Sequence, residues 1–238
     1  MIGRVYKYGD SIKIIWFKYG ICPDSLRFND DTNNNSYDEK LSNNIARARG
    51  RVLEIALCNP WEWFVTLTLD GEKQDRSNLD KYIKDLGNWI GNFNRKYGCN
   101  MKYILVPELH KDGKSWHMHG LLHDVPDAAL VRNVHGYWDI PYYRNRFGYI
   151  SLSAVKSHER VAHYITKYIS KSMSARVADK SKHLFYASKK LNGRELLIED
   201  SCMPILDGAY EGDYTLSKWV SDPAEIASAM GIITESTF

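Results

Sequence analysis

Two short runs hold the side chains best suited to chemistry: Trp116-His117-Met118-His119-Gly120 and Tyr164-Ile165-Thr166-Lys167-Tyr168-Ile169-Ser170-Lys171. In a strand, alternate residues share a side, so His117 and His119 aim the same way. In a helix, Tyr164, Lys167, Tyr168 and Lys171 fall at i, i+3, i+4 and i+7 and share one face. Paired imidazoles suit a divalent cation. A phenol, with a pKa of about 10, becomes a useful nucleophile only if its target phosphate is polarised and the phenolate is stabilised. A cation at the histidines would do the first, and Lys167 or Lys171 the second. Each run also has a plainer meaning. A histidine pair can simply sit on a surface, and the tyrosine segment alone is an amphipathic helix with aromatic edges and solvated lysines.

A third ligand comes from the hairpin. If Asp112-Gly113 closes a two-residue turn, Lys111 pairs with Lys114, His110 with Ser115 and Glu108 with His117. Glu108, His110, His117 and His119 then share one face, with opposite partners about 5 Å apart. Imidazole plus carboxylate suits Mn or Zn, and Mg when phosphate oxygens complete the shell. Glu108, directly opposite His117, is the expected third ligand. His110 stays open between replacing Glu108, supporting the site from behind, and doing nothing. His123, His135, His158, His163 and His183 lack comparable spacing.

Several elements must position these groups. Trp63 to Leu69 alternates large apolar residues with threonine and reads as a strand with one polar face. The helix after it has Ser77 as N-cap, an apolar stripe at Leu79, Ile83, Leu86, Ile90 and Phe93, and Gly98 as its stop. Tyr103 to Glu108 and His117 to Leu122 are strands, a short helix spans Pro126 to Val131, and Tyr149 to Ser153 is another strand. Toward the N-terminus, Ile12 to Lys18 reads as a strand, Phe28 to Ser36 as a polar loop, and Ser42 onward as a helix. The order predicts an α+β fold of the ferredoxin-like or RRM-like type, an antiparallel sheet with helices packed on one face. The expected organisation is residues 1–57 as a strand, polar loop and helix packing on the core, 58–194 as the chemical domain, and 195–238 as an acidic extension.

With 238 residues, 44% of them hydrophobic, the chain can bury a full core. No apolar run is long enough to span a bilayer and MIGRVYKYGD lacks a secretion signal, so a cytoplasmic protein is expected. Cys22, Cys58, Cys99 and Cys202 form no close pairs and read as free thiols. The net charge of +3 conceals an asymmetry: Arg144 to Arg194 holds twelve Lys or Arg against two acids, and Glu195 to Phe238 holds nine acids against Lys218. A basic block of this kind matches a polyanion partner, though it also occurs as a solvated surface. Arg144 and Arg146, among Trp138, Tyr142 and Tyr143, could hold phosphates and stack unpaired bases, with Lys189 and Lys190 extending the track. Equally, those aromatics could fill the core.

Taken in order, Phe64-Val65-Thr66-Leu67-Thr68, His117-Met118-His119 and the tandem Tyr164 to Lys167 and Tyr168 to Lys171 resemble the three-part signature of the HUH endonucleases. Within them the chain is most similar to the rolling-circle replication initiators of small single-stranded DNA phages, filamentous and isometric, and of related mobile elements. The resemblance covers roughly Trp61 to Lys190. It implies His117 and His119 as metal ligands with Glu108 as third, Mg or Mn as the metal, and Tyr164 and Tyr168 as nucleophiles. It further implies nicking and rejoining of an origin in single-stranded DNA, with or without an adjoining hairpin, through a 5′-phosphotyrosine that leaves a 3′ hydroxyl to prime synthesis. Bond energy is conserved, in keeping with the lack of a Walker-type loop. A host polymerase and a separate helicase are the implied partners.

Competing readings are a transposase or relaxase with the same chemistry, a non-catalytic single-stranded nucleic-acid module, and a zinc hydrolase that uses bound water and neither tyrosine.

Overall fold

The computed structural model describes residues 2–18, 37–176, 183–212, 215–221 and 223–229. The chain divides into two compact units, residues 37–191 and residues 1–36 with 192–238.

The smaller unit is an antiparallel sheet. At the N-terminal end, β1 (Ile2–Tyr8) and β2 (Ser11–Phe17) form a hairpin. From the far end of the chain come β10 (Glu195–Asp200), β11 (Tyr210–Glu211) and β12 (Thr215–Val220), giving the order β10-β1-β2-β12-β11. Val5, Ile14, Trp16, Met203, Val220 and Ile226 form its core, the last from α5 (Pro223–Ala229). Residues 195–238 are therefore more than an acidic tail. Their strands hydrogen-bond to β1 and β2, so the compact units do not follow the boundaries expected at 57 and 194. Pairing across nearly two hundred residues leaves no local sequence signal. The polar loop expected from Phe28 to Ser36 lies outside the described residues.

The larger unit begins with α1 (Tyr37–Cys58), several residues earlier than expected, followed by β3 (Trp63–Leu69) and α2 (Leu79–Tyr97). Gly98 closes α2 in the left-handed conformation at φ 64°, as its type predicts. The N-cap is Asn78, whose side chain accepts the Lys81 amide, and not Ser77. Ser77 is occupied instead by a turn in which its hydroxyl and amide both donate to Asp75.

Next come β4 (Lys102–Leu109) and β5 (Trp116–His123). The segment expected to be a short helix holds a single 3-10 turn at Asp127–Ala129 and then β6 (Val131–Arg132). β7 (Trp138–Asp139), α3 (Pro141–Arg146) and β8 (Gly148–Ala154) lead to α4 (His158–Arg176) and the edge strand β9 (Tyr186–Ala187). The sheet order is β6-β7-β8-β3-β5-β4-β9, with antiparallel neighbours throughout.

The α+β antiparallel architecture is the one expected, with helices on both faces and not one. Strand parity explains this. Val65, Leu67, Met118, Leu122 and Leu152 turn toward α2 and α3, where Leu86, Trp89, Phe93, Tyr143 and Phe147 complete the main core. On the other side Ile104, Val106 and Leu121 are fully buried, and α4 packs on β4, β5 and α1. The strands β4 and β5 are apolar on both faces, so both faces need cover. Ala162, Ile165 and Ile169 anchor α4 with no exposed surface. Each isoleucine contributes about 1.5–3 kcal/mol of burial, which fixes the helix and the phenols it carries.

Candidate active site

The β4–β5 hairpin has the expected register, with Glu108 opposite His117 and Val106 opposite His119. Its turn differs in detail. The β-turn hydrogen bond runs from the Gly113 amide to the His110 carbonyl, with Gly113 at φ 68°, and Asp112 accepts the amides of Lys114 and Ser115. These bonds, the Ser115 hydroxyl foremost, hold the Asp112 carboxyl well below its usual range. Four residues therefore close the loop, while His110 still pairs with Ser115 through its amide.

β3 lies beside β5 with Thr66 opposite His119 and Thr68 opposite His117. Each threonine hydroxyl is 3.1 Å from the Nδ1 of its histidine. When the hydroxyl oxygen accepts from Nδ1–H, the lone pair needed by a cation lies on Nε2. His119 Nε2 is 2.7 Å from Glu108 Oε2. His117 Nε2 is buried and has no hydrogen-bond partner, a costly state for a polar atom unless something else engages it. Burial, then the charges of His110 and Arg76, lower the His117 pKa and favour the neutral ring that ligation needs. His110 stacks on His117 with ring centroids 4.9 Å apart. Among the described residues, no three His, Cys, Asp or Glu side chains surround a single point closely enough to hold an ion as they stand. Glu108 and His119 are bonded to each other instead.

The tyrosines lie on this same face of the sheet. The ring of Tyr168 stacks on His119 at 3.9 Å and 16°, and its hydroxyl donates to the hydroxyl of Tyr164 at 2.8 Å. Phe64 meets Tyr164 edge-on at 5.4 Å and also borders Tyr168 and His119. The two phenols differ in access, Tyr168 being 7% exposed and Tyr164 45%. Burial first, then donation to Tyr164, raises the pKa of Tyr168. Lys167 Nζ lies 5.5 Å from the centre of the Tyr164 ring. The side chain of Lys171 lies outside the described residues.

Four other sequence-predicted residues are elsewhere. Arg144 and Arg146 belong to α3, which packs with α2 on the opposite face, and Arg144 is paired with buried Asp139 at 3.0 Å. Tyr143 is fully buried, Tyr142 stacks on Trp89, and Trp138 meets Trp63 edge-on, so these aromatics serve the core. Lys189 and Lys190 are exposed just beyond β9, where Ser188 bonds Tyr103. That is five residues along β4 from Glu108, about 16 Å in a strand.

Thr66 and Thr68 are legible in the sequence as a polar strand face; their task as Nδ1 partners follows from a Thr-x-Thr set in register with His-x-His. Arg76 carries no such signal. Its carbonyl accepts the Trp116 amide at 3.0 Å, and its charge acts on His117.

Residues 62–173 match the profile of a family described as replication-associated proteins of the ORF2 type. The matched segment opens just before β3 and reaches into α4, so it spans every group described above. This likeness supports a protein of the replication-initiator type. No curated protein and no solved structure matches the chain. Among the described residues, no helix is long and apolar enough to cross a membrane.

Proposed function

We propose that this protein initiates rolling-circle replication by nicking and rejoining single-stranded DNA at an origin, with tyrosine as nucleophile and a phage or related mobile element as its source. The observation that carries this reading is the single constellation of two phenols, two imidazoles and a carboxylate on one sheet face. A nucleic-acid module has no need of it, and a water-using hydrolase has no need of the tyrosines.

In the first step the Tyr164 oxygen attacks phosphorus, the phosphorus–O3′ bond breaks, and the 5′ phosphate remains on the tyrosine. The phenolic proton passes to solvent, and the departing 3′ oxygen takes one from solvent. Tyr164 is placed first because its hydroxyl is accessible and its oxygen accepts the Tyr168 proton, an interaction that strengthens as charge develops on that oxygen. Lys167, beside the Tyr164 ring, adds positive charge. Tyr168 then serves in a second transesterification, or the returning 3′ hydroxyl reseals the strand.

A divalent ion, Mg or Mn, fits the donor set: His117 and His119 through Nε2, with Glu108 as the carboxylate. The unengaged buried Nε2 of His117 and the threonines behind both Nδ1 atoms support this choice. When bound, the ion supplies polarisation of the scissile phosphate. His110, stacked on His117, is the alternative donor to Glu108 and is assigned here to holding that ring.

The test is incubation with end-labelled single-stranded origin DNA and Mg or Mn, followed by a denaturing gel. A covalent protein–DNA band that disappears in Tyr164→Phe/Tyr168→Phe, and in His117→Ala or His119→Ala, is expected. Binding without such a band favours the non-catalytic module, and cleavage with a free 5′ phosphate favours a hydrolase.

A further inference from the structure

The site face is only half covered. α4 packs over β4 and β5, while the same face of β8 presents Tyr149, Ser151 and Ser153, all exposed. Cross-strand register ties these to the site: Tyr149 lies opposite Thr68, which lies opposite His117, and Ser151 lies opposite Thr66, which lies opposite His119. Tyr149 is thus two strands from His117, about 10 Å. Its ring is 66% exposed and has no aromatic partner among the described residues. On the α4 side, Arg160, Tyr164 and Lys167 stand at i, i+4 and i+7, all exposed, and form one wall beside this floor.

We propose that single-stranded DNA enters the site along this trough, with a base stacked on Tyr149, the serine hydroxyls beneath the chain, and Arg160 and Lys167 taking phosphates. This rests on the nicking function proposed above and adds where its substrate lies. The floor carries no charge and the wall carries two cations, so a strand can lay its backbone against α4 and its bases over β8. Stacking on an aromatic ring tolerates any base, and the wall adds the salt-sensitive part of binding. The trough replaces the track expected around Arg144, Arg146, Lys189 and Lys190, none of which borders it.

The experiment is fluorescence anisotropy of a labelled single-stranded oligonucleotide containing the origin, with the full chain in EDTA so that binding is read without cleavage. Tyr149→Ala should weaken binding at least about fivefold, and Tyr149→Trp should restore it. Arg160→Gln should weaken binding and reduce the slope of log K against log salt by about 0.7, the value for one phosphate on a single strand. Tyr137→Ala, which removes an equally exposed ring elsewhere, should change nothing. Unchanged affinity in Tyr149→Ala and Arg160→Gln, or no binding by the wild type, overturns the trough. The nicking proposal is scored separately by the covalent band: a trough with no band leaves a binding module, and a band with no Tyr149 effect leaves a nickase whose DNA lies elsewhere.

Discussion

The hydroxyl of Tyr168 donates to the hydroxyl of Tyr164 across 2.8 Å, so the two phenols of the tandem motif are chemically unequal. One is buried against His119 and gives its proton away; the other is open and receives it. Single-turnover nicking should therefore be abolished by Tyr164→Phe. In Tyr168→Phe nicking should persist, slowed by about tenfold to a hundredfold, the scale of one lost hydrogen bond to a developing anion. Equal loss in both variants, or survival in Tyr164→Phe alone, contradicts this order.

Thr66 and Thr68 fix the imidazoles from behind. Thr66→Val and Thr68→Val keep the shape and remove the oxygen that meets Nδ1. Each should weaken Mn binding by about ten- to a hundredfold, the usual cost of removing such a partner. Isothermal titration with Mn reads this directly, and thermal melting without metal should move little.

His117 has a pKa lowered from 6.5 by burial and neighbouring positive charge. Its folded state therefore binds a proton less readily than its unfolded state. The sign follows: the stability linked to this ring is fully present above the unfolded value of about 6.5 and is lost as pH falls from there toward the folded value. Melting curves between about pH 7 and pH 5 should show His117→Gln losing less stability on acidification than the wild type. An identical slope would remove His117 from the account of acid sensitivity.

Gly120 follows the histidines on β5, where a Cβ would stand 2.4 Å from the Ile104 carbonyl oxygen and 2.4 Å from Leu105 Cδ2. The leucine methyl can move, but the backbone oxygen of β4 cannot without disturbing the hairpin that sets Glu108 against His119. Gly120→Ala should cost about 1–3 kcal/mol of stability by overpacking, measured by urea denaturation, and should reduce Mn affinity along with it.

Local pattern makes the site legible and leaves the periphery obscure. His-x-His and Tyr-x-x-Lys-Tyr-x-x-Lys each place their groups by period alone, and Asp-Gly indicates which residue faces His117 even though the turn itself closes differently. The amphipathic stripe from Leu79 to Phe93 similarly announces α2. Long-range pairing has no such signal. Nothing local marks β1, and the acidic segment reads as an appendage, because Val5 and Ile198 become neighbours only through pairing across the chain. The basic block misleads for a related reason: charge is a property of composition, whereas which face Arg144 or Lys189 occupies is set by packing. Ser151 and Tyr149 are silent in the sequence because an exposed serine or tyrosine has no signature until its register beside the histidines is known.

Trypsin separates the two candidate nucleophiles, since Lys167 lies between them: Tyr164 falls in the peptide 161–167 and Tyr168 in 168–171. Mass spectrometry of the nuclease-trimmed, trypsin-digested covalent complex is thus the most direct measurement. A nucleotide carried on the 161–167 peptide after the first cleavage is the predicted result. Cleaved DNA with a free 5′ phosphate and no modified tyrosine peptide would contradict the account.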